Sequence, residues 1–326
     1  MVRLRLFANL REIAGATEVE IDGATVGEVL DTATGRFGED FGRALAAAQV
    51  WVDGDQATRD VSVSPGAEIA VIPPVSGGAL ARRTPVYVEI GLAAILTVAL
   101  AITNSVSLQW LSVGAVFVAG MWVFDVTRSA EWRGLAVALA PGLMGVLAGV
   151  LATYRFGAPG IAAATVGVTL FVLLWSVLNP DLRSIESIAA GISIATTAVF
   201  GSGSLILLRL RSKEEAAAFL FVAGLAIAVA WLSDRSDMPV LDPLVAIIVA
   251  AITAGAISGA VWAPDLLNTV AASVAAALAL VAGRNQGTLL RAGGFFTPGA
   301  IPGTLHYLDG LFMAAGPFWV LLTVLG

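Results

Sequence analysis

Between Ala70 and Ile90 the chain reads Ala70-Val71-Ile72-Pro73-Pro74-Val75-Ser76-Gly77-Gly78-Ala79-Leu80-Ala81-Arg82-Arg83-Thr84-Pro85-Val86-Tyr87-Val88-Glu89-Ile90, and the character of the sequence changes across it. Upstream, residues 1–78 hold six Arg against twelve Asp and Glu, a net charge of −6. Downstream, residues 79–326 hold eleven Arg and one Lys against twelve Asp and Glu, a net charge of zero. An acidic, polar head therefore precedes an apolar body, with domains at 1–78 and 85–326 and a linker at 79–84. Over all 326 residues, 58% are apolar and 13% charged, and mean hydropathy is +0.88. Soluble domains carry about 25% charged residues, so a single soluble domain is excluded. The chain has no Cys, one His (His306) and one Lys (Lys213). Disulfides, thiolate nucleophiles and multi-histidine metal sites are excluded with them.

The head reads as α+β. Val2, Leu4 and Leu6 alternate with Arg3 and Arg5, the period of a half-buried strand. Glu18-Val19-Glu20-Ile21 alternates again beyond a turn at Gly15, which predicts a hairpin. Thr25 followed by Glu28 has the spacing of a capping box, ahead of a helix with Val26, Val29, Leu30, Ala33 and Phe37 on one face. Strands are expected at 49–53, turned by Asp53-Gly54-Asp55, and at 68–72 after Ser64-Pro65-Gly66. The order predicts a small roll with one helix packed across a mixed sheet. The acids of Asp53-Gly54-Asp55 are too few for a calcium site.

Leu6-Phe7-Ala8-Asn9-Leu10-Arg11-Glu12, Val50-Trp51-Val52-Asp53-Gly54 and the Pro73-Pro74-Val75-Ser76-Gly77-Gly78 ending resemble the small, sulfur-carrying subunit of molybdopterin synthase, of the MoaD/ThiS group. The resemblance spans the head and implies a ubiquitin-like β-grasp fold. It also implies a tail whose terminal glycine is adenylated by an E1-like enzyme and converted to a thiocarboxylate. Two glycines suit a tail that threads a narrow active site. Here Gly78 is followed by Ala79, so it carries an amide rather than a carboxylate. Three readings stand: a protease cuts after Gly78 and releases a carrier, the head is a tethered docking module, or Gly77-Gly78 is a flexible joint.

The body reads as all-α, with nine apolar stretches long enough to span a bilayer: 85–103, 108–126, 134–153, 158–178, 185–208, 216–233, 240–262, 266–283 and 308–325. The phospholipid bilayer is the expected partner and nucleic acid is not. Arg82-Arg83 before the first span predicts a cytoplasmic head in a bacterial inner membrane. Arg82, Arg83, Arg128, Arg133, Arg183, Arg235, Arg284 and Arg291 then fall inside, and Arg155, Arg209, Arg211 and Lys213 outside. The Arg209–Lys213 cluster runs against this bias. Most Trp residues fall near span ends, as an aromatic belt requires. Gly145 with Gly149 and Gly255 with Gly259 form G-x-x-x-G pairs, which suit packing inside the bundle or a homodimer seam.

Trp231-Leu232-Ser233-Asp234, Ala300-Ile301-Pro302-Gly303 and Leu305-His306-Tyr307-Leu308-Asp309-Gly310 resemble the C-terminal half of phosphatidate cytidylyltransferase, the CDP-diacylglycerol synthase. The resemblance implies joining of CTP to phosphatidate, with Mg²⁺ or a similar cation held by Asp234 and Asp309. It also places Arg291 at the arginine of the family's Lys-Arg pair. Leu290 replaces the lysine of that pair, Phe296-Thr297 a Lys-Asp, and His306-Tyr307 an Asp-Arg. Losing metal ligands and phosphate contacts removes transition-state stabilisation, so the body reads as an inactive relative with no firm cofactor, the alternatives being an active phosphatidate cytidylyltransferase and a lipid-binding or transporter-like membrane protein regulated by the head. Asp234, Asp309 and His306 are the remnant catalytic candidates, Asp234 and Asp309 the metal candidates, and Arg284 and Arg291 the candidates for lipid phosphate. His306 is also expected to be able to share a proton with Asp309. Asp125, Glu89 and Glu186, at span ends, read as interfacial.

Overall fold

The computed structural model describes residues 2–38, 41–42, 45, 48–72, 86–235, 242–294 and 301–326. The chain forms two compact units, Met1–Ala81 and Arg82–Gly326.

In the head, β1 (Val2–Leu6) is central, pairing antiparallel with β2 (Glu18–Ile21) and parallel with β5 (Glu68–Ile72). β3 (Gln49–Val52) and β4 (Asp55–Gln56) complete a mixed sheet of order β2-β1-β5-β3-β4. Val2, Leu4 and Leu6 are buried and Arg3 and Arg5 exposed, as the alternation requires. The hairpin expected after β1 contains a helix, α1 (Ala8–Ala14), which buries Leu10 before Gly15 turns the chain at φ 65°. Ala, Leu and Arg favour helix there over a tight turn. α2 (Val26–Phe37) buries Val26, Val29, Leu30 and Ala33. Thr25 caps it, its Oγ1 accepting from the Glu28 amide at 3.3 Å, while the Glu28 carboxylate accepts from the Ala24 amide at 2.8 Å. Asp53 and Gly54 both have positive φ (49° and 98°), the backbone a two-residue hairpin turn needs between β3 and β4.

The body contributes, among the described residues, nine helices long and apolar enough to cross a membrane. They are α3 (Val86–Val106), α4 (Leu108–Trp132), α5 (Leu139–Phe156), α6 (Ala158–Leu178), α7 (Ile185–Arg211), α8 (Lys213–Arg235), α9 (Pro243–Val261), α10 (Leu266–Ala292) and α11 (Asp309–Leu325). Leu178, Val261 and Leu267 stand exposed on their outer faces, which suits a hydrocarbon solvent. The body is compatible with a multi-pass membrane protein. α7 is the most buried and runs unbroken across the region carrying Arg209 and Arg211.

The G-x-x-x-G pairs are used within the chain. A Cβ on Gly145 would lie 2.9 Å from the Ala195 carbonyl, and one on Gly149 would lie 2.8 Å from the Val199 backbone. Gly255 and Gly259 of α9 lie as closely against Ser273 and Leu266 of α10. These small residues let backbones approach inside the bundle, which leaves them unavailable to a homodimer seam.

Candidate functional site: a buried arginine between two aspartates

α10 delivers Arg291 in its last turn, where the side chain is 0% exposed. α4 delivers Asp125 and α11 begins with Asp309, whose side chain is 3% exposed. The Arg291 guanidinium grips Asp309 with two nitrogens, Nη2 to Oδ1 at 2.9 Å and Nε to Oδ2 at 3.1 Å. Its Nη1 turns to Asp125 Oδ2 at 2.6 Å, with Ser129 Oγ at 3.0 Å and the Pro302 carbonyl at 3.3 Å. The planar fork is what allows one cation to serve both carboxylates.

Each carboxylate oxygen has a donor. Trp122 Nε1 donates to Asp309 Oδ1 at 2.8 Å. Asp125 Oδ1 accepts from the Thr304 amide at 2.8 Å and its hydroxyl at 3.0 Å, and Oδ2 accepts from the Leu305 amide at 3.0 Å. Asp125 thus ties the segment before α11 to α4. Two glycines are required around the cluster. A Cβ on Gly303, where φ is 98°, would collide with Arg291, Ser129 and Asp125, and one on Gly287 would collide with the Asp309 carboxyl. Nearby, Arg133 Nε donates to the Leu290 carbonyl at 3.1 Å and closes the end of α10. Burial lowers the Arg133 pKa from its ordinary value, with Glu186 opposing.

Several expectations are corrected here. Arg291 does not face lipid phosphates, because it is fully buried and both sides of its fork are held by carboxylates. Asp309 does not present an open carboxylate to a metal, because Arg291 and Trp122 occupy both oxygens. His306 makes no hydrogen bond to Asp309; its Nδ1 lies 3.4 Å from the Gly303 carbonyl, and its ring lies 4.1 Å from that of Tyr307. Asp125 is not interfacial; it is a central member of the cluster. Trp122 is no belt residue, being 2% exposed. Arg284 borders a small pocket with His306 and Tyr307. The side chain of Asp234, and Gly77 and Gly78, lie outside the described residues. Among the described residues, no three His, Asp or Glu side chains converge in a metal-binding group. The cluster is chemically a closed set of charges, suited to holding helices together.

The head is where similarity to known proteins lies. Residues 4–78 match the ThiS family. Small archaeal modifier protein 1 of Haloferax volcanii is 39% identical over 85 residues, covering 97% of that protein and 23% of this chain. The crystal structure of SAMP1 from Haloferax volcanii is 37% identical, covering 98% of that chain and 24% of this one, with a TM-score of 0.20. The head is accordingly a ubiquitin-like domain of the sulfur-carrier type, and through it the chain belongs to the ThiS family.

Proposed function

We propose that this protein is a membrane-tethered ubiquitin-like carrier, in which the head is the working part and the body its anchor. The carrying observation is that the family match ends at Gly78, where the chain continues by an ordinary peptide bond into the body. The relative named a modifier aligns over nearly its whole length, which supports a complete head module. In this reading the protein sits in a bacterial inner membrane, with the head cytoplasmic beside Arg82-Arg83. Its partners are an E1-like adenylating enzyme and a protease that cuts after Gly78. Cleavage would free the Gly78 carboxylate for adenylation and replacement of one oxygen by sulfur. Without cleavage the head serves as a fixed docking module.

Intact mass and immunoblotting of the head decide between these states. A released fragment ending at Gly78, heavier by about 16 Da when thiocarboxylated because sulfur replaces oxygen, supports the carrier. A single full-length band supports the tethered module. Growth of a strain lacking the small subunit of molybdopterin synthase, restored by residues 1–78, tests the molybdopterin branch.

The body's likeness to CDP-diacylglycerol synthase belongs to the same proposal, as a relative that has lost catalysis. The pairing of Asp309 with Arg291 supports this, since an aspartate so held is poorly placed to bind a cation. Purified full-length protein given labelled CTP, phosphatidate and Mg²⁺ is expected to form no CDP-diacylglycerol. Turnover abolished by Asp309→Ala would refute it.

A further inference from the structure

The second half of α11 lines a crevice apart from the Arg291 cluster. The first crevice residue on that helix, Gly316, lies seven residues beyond Asp309, about 10 Å along the axis. The crevice measures about 520 Å³ and is walled by Ala162 of α6, Phe200 and Leu207 of α7, Ala275 of α10, and Pro317 and Trp319 of α11. Phe200 is 45% exposed and Val320, another wall residue, 43%, so the crevice opens on the outer face of the bundle. An apolar cavity of about 150 Å³ already prefers hydrocarbon to water, and small-molecule sites span about 300–1,000 Å³.

One wall residue breaks the apolar lining. Ser204 of α7 is 1% exposed, and among the described residues its hydroxyl has no hydrogen-bond partner. Other hydroxyls of the same helix bond back to their own turn, Thr196 to the Ile192 carbonyl at 2.7 Å and Ser202 to the Ala198 carbonyl at 2.5 Å. The Ser204 hydroxyl instead faces α11, where a Cβ on Gly316 would lie 3.5 Å from its Oγ. A buried donor left unmade costs free energy, so this hydroxyl calls for an acceptor from outside the chain. The next residue of α11, Pro317, cannot donate to the Met313 carbonyl and weakens the helix at this wall. Depth limits what the acceptor can be. At about 40 Å, α7 overreaches a hydrocarbon core of about 30 Å by about 5 Å at each end when centred. Ser204, seven residues from Arg211, then lies about 5 Å inside the core edge, next to the level of lipid ester groups.

We propose that this crevice holds one acyl chain of a bilayer glycerolipid, whose ester carbonyl accepts a hydrogen bond from Ser204. The walls match the hydrocarbon that surrounds the bundle, and an ester carbonyl supplies an acceptor with no charge to bury. The proposal rests on the membrane reading of the body and not on the state of the head.

The test is native mass spectrometry of the full-length protein in detergent, supplied with dioleoylphosphatidylcholine or its diether analogue, which has the same headgroup and chain length but no carbonyl. The ester lipid is expected to be retained about fivefold better. Ser204→Ala should lose that preference while retaining the diether lipid as before. Ala162→Trp, on an exposed position of α6 at the crevice, should lose both lipids. If that variant does not fold, a phosphatidylcholine with a photoreactive acyl chain should label the peptides carrying Phe200 and Trp319 in the native protein. Equal retention of the two lipids by the native protein, an ester preference that survives Ser204→Ala, or labelling spread evenly to Leu178 and Val261 would overturn the proposal. So would a stable dimer that retains neither lipid, since a second copy would then cover the crevice. Cleavage after Gly78 leaves these outcomes unchanged, whereas failure of the full chain to partition into membranes sinks the tethered-carrier reading itself.

Discussion

Replacing Arg291 by Met removes the cation that, among the described residues, pairs with both Asp125 and Asp309. Removing one partner of a buried ion pair costs about 3–5 kcal/mol, mostly from the charge left behind. The two aspartates are not left equally exposed to that cost. Asp125 keeps three donors, from Thr304 and Leu305, whereas Asp309 keeps the Trp122 indole. The loss is therefore expected near the top of the range, about 5 kcal/mol, against net stabilities of about 5–15 kcal/mol for folded proteins. Arg291→Lys should fall between wild type and Met, since an ammonium cannot reproduce the fork. The decisive variant is Asp125→Asn/Arg291→Met/Asp309→Asn. It removes all three charges but leaves oxygen acceptors for Thr304 and Trp122. It is expected to regain most of the stability, ending within about 2 kcal/mol of wild type. Equilibrium unfolding of the full-length protein in mixed SDS and mild-detergent micelles, followed by tryptophan fluorescence and circular dichroism, measures all four proteins. A single Met variant within about 1 kcal/mol of wild type, or a triple variant no better than the single, refutes the electrostatic account.

Gly303→Ala should destabilise the body by about 2 kcal/mol or more, from a left-handed backbone and collision with Arg291. Gly167→Ala on α6, where a Cβ meets nothing within 4 Å, should be neutral or mildly stabilising in the same unfolding assay. Gly149→Val should push α5 away from α7 and lower stability, while chemical cross-linking shows no change in oligomeric state. Trp122→Phe leaves Asp309 without its indole donor and should cost about 1–3 kcal/mol. Thr25→Ala removes the cap of α2 and should cost the head about 1 kcal/mol, read as faster amide exchange over Val26–Leu30.

The head was legible in its sequence because its signals are local. Alternation at Val2–Leu6 and Glu18–Ile21, the Thr25–Glu28 spacing and the Asp53-Gly54 turn each act within a few residues. The exception, α1, is two turns long and carries no strong cap. The nine spans were legible because twenty apolar residues in a row have few alternatives. The Arg291 cluster was not legible as a unit. Asp125 and Arg291 are 166 residues apart, and nothing local distinguishes a carboxylate near a helix end that reaches water from one that finds an arginine. The usable signals were an ionisable residue seven positions inside α4 and the glycines at 287 and 303, whose lack of side chains makes room for the pair. Gly77 and Gly78 were conspicuous for the opposite reason, as a tail motif needs no tertiary partner to be read.

The distance in sequence between Asp125 and Arg291 has a consequence for biogenesis. A ribosome delivers α4 long before α10, so a growing chain carries Asp125 in its second span before its arginine partner, in the eighth, has been made. The same aspartate then gathers Thr304 and Leu305 just ahead of the ninth. A chain cut short before Arg291 therefore lacks the guanidinium that Asp125 meets in the finished bundle.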